Sequence, residues 1–152
     1  MRSLGLDFIA SRIPHRPPFL WLDEVTAIDG NSIKAVKTIA KDLELFQGHY
    51  PHYPIVPGVI LCEAVFQAGA VLISDQLSRE QGEEETGEDG IPVLTRISGA
   101  KFKREVRPGD TITIEAGLVE RMQAAWFMKG SVKVNDKVAV KVEFACTQTK
   151  GN

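Results

Sequence analysis

Residues Gly58 to Ser78 constrain this chain more than any other stretch. The run predicts a helix with alanine, leucine, valine and isoleucine on nearly every side and few polar side chains. A helix that is apolar around its whole circumference has to be enclosed by protein or by lipid. Ile55 to Ile73 is long enough for a membrane span, but Pro57 and Gly58 interrupt it near one end, and Glu63 and Gln67 sit inside it. A central carboxylate costs about 2.5–3.5 kcal/mol on insertion scales. The expectation is therefore a helix wrapped by protein. A chain of 152 residues, 43% hydrophobic and 25% charged, suffices for one globular domain over residues 1–152.

The flanks supply the wrapping. Leu4 to Ile13 predicts a short helix, stopped by Pro14 and by Pro17-Pro18. Phe19 to Ile28 is rich in strand formers, Asp29-Gly30 signals a tight turn, and Asn31 to Ile39 continues as the second strand of a hairpin. Beyond the helix, four strand-like stretches cover Ile91–Val106, Thr111–Arg121, Ala124–Val134 and Lys137–Gln148. Alternation is clearest from Ile112 to Leu118 and from Val138 to Cys146. Turns at Pro108-Gly109-Asp110 and Asn135-Asp136 predict that consecutive strands pair as antiparallel hairpins. Strands, one buried helix, then strands is an α+β pattern, with an antiparallel sheet curling around the helix.

The net charge of −2 conceals an asymmetry: residues 79–90 hold six acids against one base, leaving the remainder at +3. That acidic run, with three glycines and no large apolar side chain, reads as a flexible solvated loop. The mildly basic remainder suits an acidic partner without resembling a nucleic-acid binder. Cys62 and Cys146 have no framework or metal-site spacing and read as buried thiols; no metal and no cofactor is expected. The N-terminus lacks a signal-peptide pattern, so a cytoplasmic protein is expected.

Two ionisable residues stand out beside the helix. His49 lies in the run Gly48-His49-Tyr50-Pro51-His52-Tyr53-Pro54-Ile55-Val56-Pro57-Gly58-Val59, which Pro51, Pro54 and Pro57 stiffen. An imidazole has its ordinary pKa, about 6.5, near working pH, as a general base requires. Glu63 is flanked in sequence by Val59, Leu61 and Phe66, so desolvation is expected to raise its pKa and keep a proton available. Gly58 opens the helix, and the first backbone N–H groups there, at Gly58 and Val59, suit an oxyanion. Gln67, one turn on, either orients the Glu63 carboxyl or is a satisfied core amide. A buried carboxylate paired with a basic residue is the structural alternative for Glu63.

Three ordered blocks resemble one family. They are Ile13-Pro14-His15-Arg16-Pro17-Pro18-Phe19-Leu20, the run from Gly48 through Glu63-Ala64 to Gln67, and Lys101-Phe102-Lys103-Arg104-Glu105-Val106-Arg107-Pro108-Gly109-Asp110. Together they resemble the FabZ-type (3R)-hydroxyacyl-[acyl-carrier-protein] dehydratases. The resemblance implies the hot-dog fold and dehydration of a carrier-bound 3-hydroxyacyl chain in fatty acid biosynthesis. It also implies a homodimer, or a trimer of such dimers, in which His49 of one subunit meets Glu63 of its neighbour. Lys101, Lys103 and Arg104 then read either as a docking patch for an acidic acyl carrier protein and its phosphopantetheine or as a solvated strand face. Phe66 and Trp126 are expected near the acyl chain, while His15 and Arg16 read as structural.

Pro17, His52 and Lys41-Asp42 depart from the family pattern and bear on the substrate entrance and the carrier. Two other readings stay open. One is a hot-dog acyl thioesterase, in which a carboxylate activates water. The other is a non-catalytic acyl-carrier binding module.

Overall fold

In the computed structural model, residues 4–81 and 91–149 are described. Three helices, α1 (Leu6–Arg12), α2 (Leu45–Gly48) and α3 (Gly58–Gln81), accompany six strands. The strands are β1 (Glu24–Ile28), β2 (Ser32–Thr38), β3 (Ile91–Phe102), β4 (Thr111–Met122), β5 (Ala125–Val134) and β6 (Lys137–Thr149). They form one antiparallel sheet in the order β1-β2-β4-β5-β6-β3. Helix α3 packs against β2 to β6 on one side and against α1 on another. Leu61, Val65, Ala68, Val71, Leu72 and Ile73 are all buried, as a helix apolar around its circumference requires. An antiparallel sheet wrapped around one long helix is the hot-dog arrangement.

The helix approaches the sheet closely because a glycine faces it. A Cβ built on Gly130 would lie 2.4 Å from Val65 Cγ1 and 2.4 Å from the Glu115 carbonyl oxygen. Further along, Phe144 packs edge-on against Phe66 with ring centroids 4.9 Å apart. Trp126, fully buried, donates its indole N–H to Gln76 Oε1 at 3.2 Å and ties β5 to the later turns of α3. Cys62 and Cys146 are free buried thiols.

Local turn chemistry follows the sequence. Asp29 accepts backbone N–H groups from Asn31 and Ser32, which hold its carboxyl below the usual range and close the β1–β2 turn. Asn135 and Asp136 have φ of 52° and 63°, the left-handed pair that a two-residue hairpin needs.

Several boundaries depart from the sequence-based expectations. Phe19 to Asp23 is not strand, because main-chain groups there serve the Gln67 side chain: its amide donates to the Phe19 carbonyl and accepts from the Trp21 N–H. The third predicted strand ends at Phe102, since Val106 is buried and its carbonyl takes the Val56 N–H at 2.7 Å. β3 and β4 consequently do not form a hairpin; β3 pairs with β6 at the sheet edge, and β4 pairs with β2 and β5. The short α2 was not foreseen; it buries Phe46. Arg79 and Glu80 belong to α3, where they pair with Asp75 at 3.0 Å and Arg121 at 2.6 Å. The rest of the expected acidic loop, residues 82–90, lies outside the described residues.

Candidate active site

His49 follows directly on α2 and is half-buried. Its Nδ1 lies 2.9 Å from the Ile55 carbonyl oxygen. A carbonyl only accepts, so Nδ1 carries a proton, and in the neutral ring it is then Nε2 that holds the lone pair a base needs. The loop is fastened at two points. Tyr53 N–H returns to the Tyr50 carbonyl at 2.8 Å, and Tyr53 Oη donates to Glu105 Oε2 at 2.7 Å. Arg107 covers the Tyr53 ring at 5.0 Å and bonds its hydroxyl at 2.5 Å. Tyr50 supports the turn with φ 51°.

Glu63 sits in the second turn of α3 with 23% side-chain exposure, less enclosed than its sequence neighbours suggested. Its Oε2 accepts Gln67 Nε2 at 2.9 Å. Gln67 is fully buried, and its amide orientation is fixed from the other side: the oxygen takes the Trp21 N–H at 2.8 Å, so the nitrogen must face Phe19 and Glu63. Gln67 is thus a satisfied core amide that also donates to the Glu63 carboxyl. Glu63 Oε1 meets no donor among the described residues.

At the helix start, the N–H groups of Ile60 and Leu61 turn back to the Pro57 carbonyl at 2.9 and 3.3 Å. Those of Gly58 and Val59 have no backbone acceptor among the described residues, the usual condition of a first helical turn. Phe102 lies over this end: a Cβ on Gly58 would stand 2.7 Å from its Cδ1. Val59 projects outward, 71% exposed. Phe66 points into the core at 9% exposure.

Within one chain, His49 and Glu63 are not brought together; among the described residues the imidazole nearest Glu63 is that of His15, its Nε2 3.7 Å from Oε2. The sequence reading set His15 aside as structural because the following Pro17-Pro18 constrains it, and nothing local signals a contact with Glu63, 48 residues away. Arg16 does fit the structural role, since it donates to the carbonyls of Ile13 and His15 at 2.7 Å and of Ala10 at 3.1 Å. The basic cluster also divides. Lys101 faces a concavity of about 970 Å³ on the outer side of the sheet, with Lys34, Lys129, Lys141, Glu115 and Glu143. Lys103 and Arg104 line a separate cleft of about 610 Å³ with Arg107, Asn135 and Lys137 and with the carboxylates Glu105 and Asp110.

A family profile described as a FabA-like domain matches residues 13–143. The 3-hydroxyacyl-[acyl-carrier-protein] dehydratase FabZ of Albidiferax ferrireducens is 40% identical over 144 residues, 93% of this chain and 92% of that protein. The chain belongs to the FabZ family. The FabZ of Clostridium tetani agrees, at 36% identity over 94% of this chain and 96% of its own. Among solved structures, the dehydratase heterocomplex ApeI:P of Xenorhabdus doucetiae is similar with a TM-score of 0.77 at 16% identity, covering 93% of this chain and 91% of that one. A hypothetical thioesterase of Streptococcus pneumoniae, crystallised with coenzyme A, has a TM-score of 0.65 at 13% identity over 96% and 97% of the two chains. Dehydratase and thioesterase thus share this fold, and it is the sequence identity that assigns the chain to the FabZ family.

Proposed function

We propose that the protein removes water from (3R)-hydroxyacyl-[acyl-carrier-protein] to give the trans-2-enoyl thioester in fatty acid biosynthesis, with His49 as base and Glu63 as acid. The observation that carries this reading is the Ile55 carbonyl on His49 Nδ1, which leaves Nε2 free to take the α-proton. The thioester oxygen becomes negative as that proton leaves, and the free N–H groups of Gly58 and Val59 hold it. Glu63 then protonates the β-hydroxyl, which departs as water as the double bond forms. The proton gained by His49 returns to Glu63 through water, and the site is reset.

The pair closes between two copies of the chain. Strand β3 is the sheet edge that a second copy would cover: it is twelve residues long and exposes Leu94, Ile97 and Phe102 at 41–55%. The opposite edge, β1, is five residues long, shifts register, and is partly covered by the bridge from Leu4 to Val25. The acyl carrier protein docks at the cleft of Lys103, Arg104 and Lys137. These three cations have no carboxylate within ion-pair distance among the described residues, which suits an acidic partner. The cytoplasm is the compartment proposed for this chemistry.

Purified protein with a 3-hydroxyacyl carrier thioester is expected to gain enoyl absorbance, and His49→Ala and Glu63→Gln each to lose about 10²–10⁴-fold in kcat. Undiminished turnover in both variants would sink the assignment. Release of free thiol without enoyl product would select a thioesterase, and tight carrier binding with neither product would select a binding module.

A further inference from the structure

We infer that His15 is a positioning residue for Glu63, holding Oε2 together with Gln67 so that the transferable proton resides on Oε1. This rests on the dehydratase reading above. His15 Nε2 is 3.7 Å from Glu63 Oε2, and its Nδ1 is buried with no hydrogen-bond partner. A buried N–H without an acceptor is costly, so the single proton of the neutral ring belongs on Nε2, where Oε2 is the acceptor at hand. The contact is slightly longer than a hydrogen bond, and such contacts tighten when substrate closes a site.

The segment carrying His15 is built to hold it there. The Arg16 guanidinium gathers the carbonyls of Ala10, Ile13 and His15. The His15 ring stacks on Phe19 at 6.4 Å, and the Phe19 carbonyl in turn takes the Gln67 amide that also reaches Glu63. With two donors aimed at Oε2, a proton on that oxygen would face them head-on. Oε1 meets no donor among the described residues and is left to carry the proton.

Among the described residues, titratable groups face Glu63 from two directions. His15 approaches from the segment after α1. Cys146 approaches from β6; burial first, and the charge of Glu63 second, push its thiol up to about 12, so it stays neutral over the working range. A neutral N–H at the carboxylate favours the charged form, so its removal favours the protonated form.

The test compares wild-type enzyme with His15→Ala and His15→Gln, the glutamine placing an amide N–H near the position of Nε2. For His15→Ala, kcat is expected to fall roughly tenfold with KM within about twofold of wild type. The alkaline limb of its kcat–pH profile, where Glu63 loses its proton, is expected to move to higher pH. His15→Gln should recover both. Independently of turnover, the side-chain ¹³C carboxyl resonance of Glu63, identified by its absence in Glu63→Gln, should titrate at higher pH in His15→Ala than in wild type.

Coincident carboxyl titrations in wild type and His15→Ala would overturn the inference. So would a His15→Ala enzyme that melts at lower temperature with a wild-type pH profile, or a glutamine variant no better than the alanine. Turnover by the wild type is the separate control on the dehydratase reading, and the carboxyl titration decides the His15 contact whichever way that control falls.

Discussion

Gly58 answers to two neighbours at once. Its N–H is one of the two free donors at the start of α3, and its missing side chain leaves room for Phe102, which a Cβ would meet at 2.7 Å. Gly58→Ala is therefore expected to push the ring aside or rotate the helix start, moving the donors off the position proposed for the thioester oxygen. Loss of one such donor costs about 10²–10³-fold in kcat. Because Phe102 is 55% exposed, its displacement should cost little stability, and the Gly58→Ala/Phe102→Ala double variant should regain part of the lost rate. Steady-state kinetics beside thermal melts check this; equal kcat in the single and double variants would show that the ring is not what Gly58 makes room for. That His49 stands on a stiff loop was legible at this scale, because Pro51, Pro54 and Pro57 fix the backbone after it. The proton-bearing nitrogen was not, because the partner that fixes it is a main-chain carbonyl, which every residue carries.

At the scale of elements, α3 and its enclosure could be read directly, since an apolar circumference admits few other fates. Start and stop were less legible where a side chain replaces a strand. Phe19 to Asp23 has the composition of a strand, but Gln67 takes the bonds of Phe19 and Trp21 that a neighbouring strand would otherwise satisfy. The four later stretches were each recognisable, yet the position of β3 at the edge was not, because alternation tells which face a residue takes and not which strand lies beside it. The seating of the helix on the sheet depends on Gly130. An alanine there meets both the Glu115 carbonyl and Val65 at 2.4 Å, and neither is a flexible tip. Gly130→Ala is expected to destabilise the fold by about 1–3 kcal/mol, read as a lower urea midpoint. An unchanged midpoint would show that helix and sheet can separate freely.

For the whole molecule, the decisive experiment is complementation between two dead variants. If His49 of one subunit serves Glu63 of the other, a heterodimer of His49→Ala and Glu63→Gln has one intact site and one site with both lesions. Unfolding and refolding the two in equal amounts should then return about a quarter of wild-type activity, since half of the dimers are mixed and each has one working site of two. A site closed within one chain predicts no recovery. The same arrangement gives the bare edge of β3 a kinetic meaning. A lone folded chain would carry the base and the acid and still be inert, so the output of a cell making little of this protein would grow as the square of its concentration. Expression level would thereby act as a threshold on fatty acid supply rather than as a proportional dial.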